Sequence, residues 1–217
     1  MNAPAAIPIV LGSRSPRRRE LLSHLVAPER IIVLPPTDPE EPGFQGLHEE
    51  APIRDQLLRI ARLKNVSVRA RVECPSQALV LTADTVIVAG AAGTYEVLGQ
   101  PSSGDNWKGT VRQWFHSYYF GQTHRVLTAV VISDAAGQQW ERIAETEVTM
   151  RARNEVLLEW YLDTEEPLGK AGGYALQGAG SVFITDVAGS LSNVVGLPLE
   201  AVSEMLQQAH PGGRSSC

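Results

Sequence analysis

Cysteine is scarce in this chain: there are two among 217 residues, Cys74 and Cys217. They form neither a CxxC pair nor a zinc-type spacing, which argues against a disulfide framework and a structural zinc site. Long apolar runs are missing too, none approaching the roughly twenty residues of a membrane span. The opening MNAPAAIPIV has no basic stretch leading into a long apolar one, so no signal peptide is expected. Positive charge is in deficit, with 19 Lys and Arg against 24 Asp and Glu and a formal net charge of −5. A surface broadly basic enough for nucleic acid or anionic membrane is not expected, though a local basic pocket is compatible with that total. The expectation is a soluble, cytoplasmic protein with neither nucleic acid nor membrane as partner. HExxH, GxSxG and GxxxxGK[ST] are all absent, and none of the five histidines has a partner at ligand spacing. Zinc peptidase, serine-hydrolase and Walker-type phosphate chemistry therefore lack support. His124, alone at the head of a strand pattern, reads as structural.

What is present is a chain that is 43% hydrophobic, enough for a sizeable core. IPIVLG (7–12) predicts a short buried strand. Ser15-Pro16 then predicts a helix start, serine as N-cap and proline at the first helical position, with Leu21, Leu22 and Leu25 as its apolar face. RIIVL (30–34) reads as a second strand, and the proline-broken PPTDPEEPG as an acidic loop. Ile53, Leu57, Ile60, Ala61 and Leu63 recur at helical spacing over 51–71. QALVLTADTVIVAG predicts a central strand, Gly90–Gly93 a turn, and TYEVLG a partner strand. Residues 103–120 read as a helix, HRVLTAVVIS and WERIAETEVTMRA as a hairpin across DAAG, and NEVLLEWYL as a short helix capped by Asn154. A glycine loop (KAGGYALQGAG), a strand (SVFITDV) and a closing helix (LPLEAVSEMLQQ) complete the chain. Alternating elements followed by a hairpin predict a mixed α/β sheet in a single domain over 7–209, with 1–6 and 210–217 as flexible termini. The tryptophans Trp107, Trp114, Trp140 and Trp160, and Tyr174, read as core packing.

Three stretches could carry chemistry. LGSRSPRRRELL places Ser13, Arg17 and Arg18 where a strand feeds a helix start, whose unpaired N–H groups and dipole favour an anion. Guanidiniums match phosphate oxygens there in forked pairs, whereas Arg19 reads as solvated surface charge. Asp84 interrupts an apolar strand, and a carboxylate is costly to bury unless it is paired, metal-bound or catalytic. One reading has Asp84 merely satisfied by backbone at the strand's C-terminal end; the favoured one puts it at the edge of a ligand cleft. Asp38, Glu40 and Glu41 of the acidic loop are candidate second carboxylates for a hard divalent cation, against the plainer reading of a solvated loop. KAGGYALQG offers a point charge in Lys170 and a two-way hydrogen bonder in Gln177.

LGSRSPRRRELL, LLRIARLKN, TADTVIV, PLGKAGGYALQG and GSLSNVVGLPL together resemble, in order, the Maf-like nucleoside triphosphate pyrophosphatases. The resemblance implies a Maf/ITPase-like fold: an elongated mixed sheet with flanking helices and two lobes around a nucleotide-binding cleft. It implies hydrolysis of nucleoside triphosphates to monophosphate and pyrophosphate, dependent on a divalent cation (Mg or Mn), often in a homodimer. By motif, Asp84 would be the proton acceptor and face the metal, assisted by Glu40 or Glu41. Ser13, Arg17, Arg18, Lys64 and Lys170 would hold phosphates. SPRR with LQG resembles the dTTP/UTP branch, with Arg17, Thr85 and Gln177 at the selectivity positions; modified pyrimidine nucleotides would fall within its range. One departure stands out: Gln100 occupies a place where the family usually carries lysine. Glutamine supplies no charge to a developing phosphate anion, and losing one such cation costs about 2–4 kcal/mol of transition-state stabilisation. A catalytically weakened nucleotide-binding regulator, for example of cell division, is therefore the alternative. A plain interaction domain leaves the clustered motifs unexplained.

Overall fold

The structure, a computed structural model, describes residues 7–37, 42–72, 78–91, 93–102, 104 and 106–209. Leu11 and its neighbours form β1 (Ile9–Gly12), all four residues buried. Ser15 caps α1 (Pro16–Ser23), its hydroxyl accepting from the Arg18 N–H, with Pro16 at the first helical position as predicted. β2 (Ile31–Val33), α2 (Glu50–Arg69), β3 (Leu79–Ala91) and β4 (Thr94–Leu98) follow. Next come α3 (Trp107–Trp114), β5 (Thr123–Ser133), β6 (Gln139–Met150) and α4 (Glu155–Asp163). The chain closes with β7 (Ile184–Ala188), α5 (Leu191–Val195) and α6 (Leu199–Ala209). Seven strands form one mixed sheet in the order β2-β1-β3-β5-β6-β7, with β4 also paired to β3. The β1–β2 and β1–β3 pairs are parallel and the rest antiparallel, the mixed α/β arrangement expected.

β3 organises the molecule. One edge pairs with β5 from Val80 to Val88. The other edge changes neighbour: β1 pairs with Leu79–Thr82, and β4 with Ile87–Ala91. Among the described residues no strand covers Ala83–Val86 on that side, so the sheet forks there. Gly12 lets β1 end close against its neighbours, because a Cβ would stand 2.6 Å from Thr82 Cγ2 and 2.8 Å from Val68 Cγ2. Apolar clusters lie on both sides of the fork. One packs α1 and α6 through Leu22, Leu81 and Met205; the other packs α3 and α4 through Phe115, Tyr161 and Phe183.

Buried polar side chains fix the helices on the sheet. Asn65 of α2 donates to Val80 O at 3.1 Å and accepts from Ser133 Oγ at 2.7 Å. Thr82 Oγ1 donates to Ala61 O at 2.8 Å. A π-helical turn, Phe115–Tyr119, extends α3, so the helix expected over 103–120 has two geometries. Two exposed ion pairs, Lys108–Asp163 and Arg112–Glu159, and a hydrogen bond between His116 and Glu155 run in step along α3, this turn and α4. Three side-chain expectations need correcting. Leu25 is exposed, because α1 ends at Ser23 and Val26 takes the buried place. Leu63 falls on the solvent side of α2. No tryptophan is buried: Trp160 is exposed, and Trp107, Trp114 and Trp140 only edge the core, whose centre is filled by phenylalanine and tyrosine. The terminal segments 1–6 and 210–217 lie outside the described residues.

His124 is structural, as its isolation in the sequence suggests. Its Nε2 shares a 2.7 Å hydrogen bond with the Tyr174 hydroxyl in the core. Burial pushes its pKa down from 6.5 to about 3. The unfolded chain therefore takes up a proton below pH 6.5 that the folded chain refuses until about pH 3, so this stability is complete above the first value and drains away toward the second. Between pH 6 and 5 the protein should lose up to about 1.4 kcal/mol per pH unit. Denaturant titrations at each pH check this, and His124→Gln should flatten the slope by one proton.

Candidate active site

A cavity of about 480 Å³ opens at the fork in β3, between the β1–α1 turn and the glycine loop of residues 169–177. Five cationic side chains (Arg14, Arg17, Arg18, Lys64, Lys170) and a single carboxylate, Asp84, line it among the described residues. That balance focuses a positive field in a protein whose total charge is negative, which suits a polyanion. Every site residue expected from the sequence lines this one cavity except Glu40. Glu40, like Asp38 and Glu41, lies outside the described residues.

Asp84 sits mid-strand rather than at the strand's C-terminal end, and the missing neighbour at the fork is what exposes it. It shares a face with Thr82, toward α2, where Lys64 Nζ meets its Oδ1 at 2.6 Å. Their side chains are 15% and 12% exposed, so the pair is partly desolvated and its attraction exceeds that of a surface pair. Thr85 points to the opposite face. Its Oγ1 accepts from Arg18 Nη2 at 3.0 Å and shares a hydrogen bond with Thr128 Oγ1 at 2.9 Å.

Arg18 spans three elements. Its Nε donates to Gly196 O at 2.9 Å, Nη2 to Thr85, and Nη1 to Ser13 Oγ at 3.5 Å. It braces the cavity wall while lining it. Ser13, buried, also accepts from the Ser15 N–H at 3.1 Å, which shapes the turn into α1. Arg17, one position earlier, is half-buried in the lining. Lys170 donates to Glu166 O at 2.6 Å. Its pKa is lowered, chiefly by burial, against the pull of Glu166 and with a push from Arg17, which lines the same cavity. Gln177 and Gln100 complete the polar lining. Arg19 is exposed, as expected of surface charge.

Several contributors escape a reading by residue type. Arg14 lines the cavity and donates to Pro36 O. α5 is only five residues long, started by the Ser190 hydroxyl, and it brings Gly196 to Arg18. Asn193, fully buried, ties α5 to Val126 O and Thr146 Oγ1, both at 3.0 Å. The Ser-x-x-Asn spacing was the available signal for that cap. No cluster of three or more His, Cys, Asp or Glu forms a metal-sized site among the described residues. One carboxylate beside an anion site nevertheless fits a magnesium-type cation that is bound partly by substrate phosphates and water.

The sequence matches the Maf-like protein family over residues 8–209. A dTTP/UTP pyrophosphatase of Anaeromyxobacter dehalogenans is 40% identical over 204 residues, 93% of each chain. Another dTTP/UTP pyrophosphatase, from Myxococcus xanthus, is 37% identical over 210 residues, 96% of this chain and 95% of that one. A solved HAM1 protein from Coxiella burnetii shares the fold, with a TM-score of 0.52 at 15% identity over 94% of this chain and 100% of the other. Motif order and sequence identity across almost the whole length agree: the chain belongs to the Maf-like protein family.

Proposed function

We propose that this protein is a nucleoside triphosphate pyrophosphatase that hydrolyses dTTP and UTP to the monophosphate and pyrophosphate. The observation that carries the reading is the convergence of five cationic side chains and one carboxylate on a single cavity. Cleaving a phosphoanhydride requires neutralising several oxygens, aligning a water and accepting its proton. Arg17 and Lys170 on one bank, with Lys64 on the other, do the first. Asp84 is the only carboxylate in the described lining, and it takes the proton as the water oxygen bonds to the α-phosphorus. The bond from that phosphorus to its bridging oxygen breaks, and pyrophosphate carries the electron pair away. Asp84 and the triphosphate oxygens would hold a Mg²⁺ or Mn²⁺ ion, which supplies further neutralisation of phosphate charge. Arg17, with Thr85 and Gln177, also serves the side left for the base, and Ser13 and Arg18 join the phosphate contacts. The names of the relatives support the dTTP/UTP choice.

Pyrophosphate release across a nucleotide panel, with and without Mg²⁺ or Mn²⁺, tests this. Turnover highest on UTP and dTTP is expected; tight binding of both with no release at any metal concentration refutes it. Gln100 in the lining favours a second reading, a nucleotide-binding regulator with weakened turnover. Gln100→Lys should raise kcat by about tenfold, since it adds a cation to a site of low effective dielectric. An unchanged kcat would show that the existing lysines already supply that charge.

A further inference from the structure

Glu166 stands outside the cavity lining, yet it holds both ends of the loop that carries Lys170 and Gln177. Its backbone carbonyl accepts from Lys170 Nζ at 2.6 Å. Its carboxylate accepts from the Ala179 N–H at 2.6 Å and the Gly180 N–H at 2.9 Å, and shares with Gly173 O the single proton of the Tyr161 hydroxyl, 3.3 Å away. The loop closes tightly on this side chain: a Cβ on Gly178 would stand 2.2 Å from Glu166 Oε2. The preceding residue, Glu165, is the one non-glycine with positive φ among the described residues, at 56°. Left-handed backbone at such a residue persists only where its surroundings enforce it. Two tyrosine hydroxyls complete the anchorage, Tyr119 on Gly172 O at 2.8 Å and Tyr161 on Gly173 O at 3.1 Å.

We propose that Glu166 is a positioning residue for base recognition, its carboxylate fixing the turn after Gln177 so that the Gln177 amide meets the nucleobase edge. This rests on the nucleotide reading above and adds a division of labour to it. The carboxylate secures the Gln177 end of the loop, while the backbone carbonyl, which any side chain at this position retains, secures Lys170. Removing the carboxylate therefore loosens the base contact and spares the phosphate contact. Polar contacts of this kind lose their value when misplaced by about an ångström.

The test compares wild type, Glu166→Ala and Glu166→Gln in calorimetric binding of two probes, α,β-imido-UTP and inorganic tripolyphosphate. Glu166→Ala should weaken the UTP analogue by about tenfold and leave tripolyphosphate within about twofold. Glu166→Gln should fall between, because its amide oxygen can accept one N–H while its NH₂ faces the other donor. Amide hydrogen exchange at Ala179 and Gly180 in the nucleotide-free variant should rise by about tenfold. Equal weakening of both probes would mean that Glu166 only supports the fold, and unchanged binding of the UTP analogue would mean that it positions nothing; either overturns the proposal. A wild type that binds the UTP analogue no better than tripolyphosphate contradicts the nucleotide reading itself, a result visible before any variant is compared, and exchange at Ala179 and Gly180 then decides whether the clasp exists.

Discussion

Replacing Asp84 with asparagine should abolish measurable pyrophosphate release, a loss of about 10³-fold or more in kcat, while UTP still binds. Asparagine keeps the shape and a hydrogen-bonding oxygen but cannot take a proton from water, and a positioned general base contributes about 10²–10⁴-fold. No other carboxylate lines the cavity among the described residues to replace it. Without added divalent cation, removing a negative charge beside a triphosphate should leave nucleotide affinity unchanged or somewhat higher, so binding measured there is separable from the loss of kcat. Steady-state kinetics and calorimetry on the same preparation measure both. A variant that retains more than about a tenth of wild-type kcat would exclude proton transfer to Asp84.

Lys64→Met should lower kcat by about 10²-fold and raise KM much less. The ammonium lies 2.6 Å from Asp84, where charge builds on the attacked phosphate, and a cation at such a point is worth most in the transition state. Lys170→Met should show the opposite division, with most of its effect in KM, because Lys170 stands on the glycine loop with its ammonium on Glu166 O rather than on Asp84. Lys64→Met also leaves Asp84 without its ion-pair partner. The pair is largely buried and only its outer edge meets the cavity, so the melting temperature should fall by several degrees, about 2–3 kcal/mol. Equal kcat losses in the two lysine variants would show that both merely bind phosphate.

The parts of the fold visible in the sequence are those set by local chemistry. Ser15-Pro16 began a helix where an N-cap hydroxyl and a preset φ predict one, and the β-branched run around Asp84 became the central strand. DAAG turned the hairpin between β5 and β6. Asp84 itself was legible because an apolar strand has no cheap place for a carboxylate. What makes Asp84 accessible was not legible: the change of neighbour from β1 to β4 is a property of sheet pairing, and neither strand's composition records it. Arg18 read as a phosphate ligand from its place in the first helical turn, but its contacts with Gly196 and Thr85 depend on residues 178 and 67 positions away. Asn65, Asn193 and Glu166 look like ordinary surface polar residues until packing places backbone donors and acceptors around them. Leu25 and Leu63 follow the periodicity and still face water, because periodicity identifies a face without saying how far the neighbouring layer reaches.

A crystal structure with α,β-imido-UTP and Mn²⁺ tests the central claim most directly. The account predicts the triphosphate in the cavity at the β3 fork, its oxygens on Arg17 and Lys170, and the Mn²⁺ anomalous peak between those oxygens and Asp84. A triphosphate bound elsewhere, or one that reaches the arginines with Asp84 turned away from both metal and α-phosphate, would contradict it.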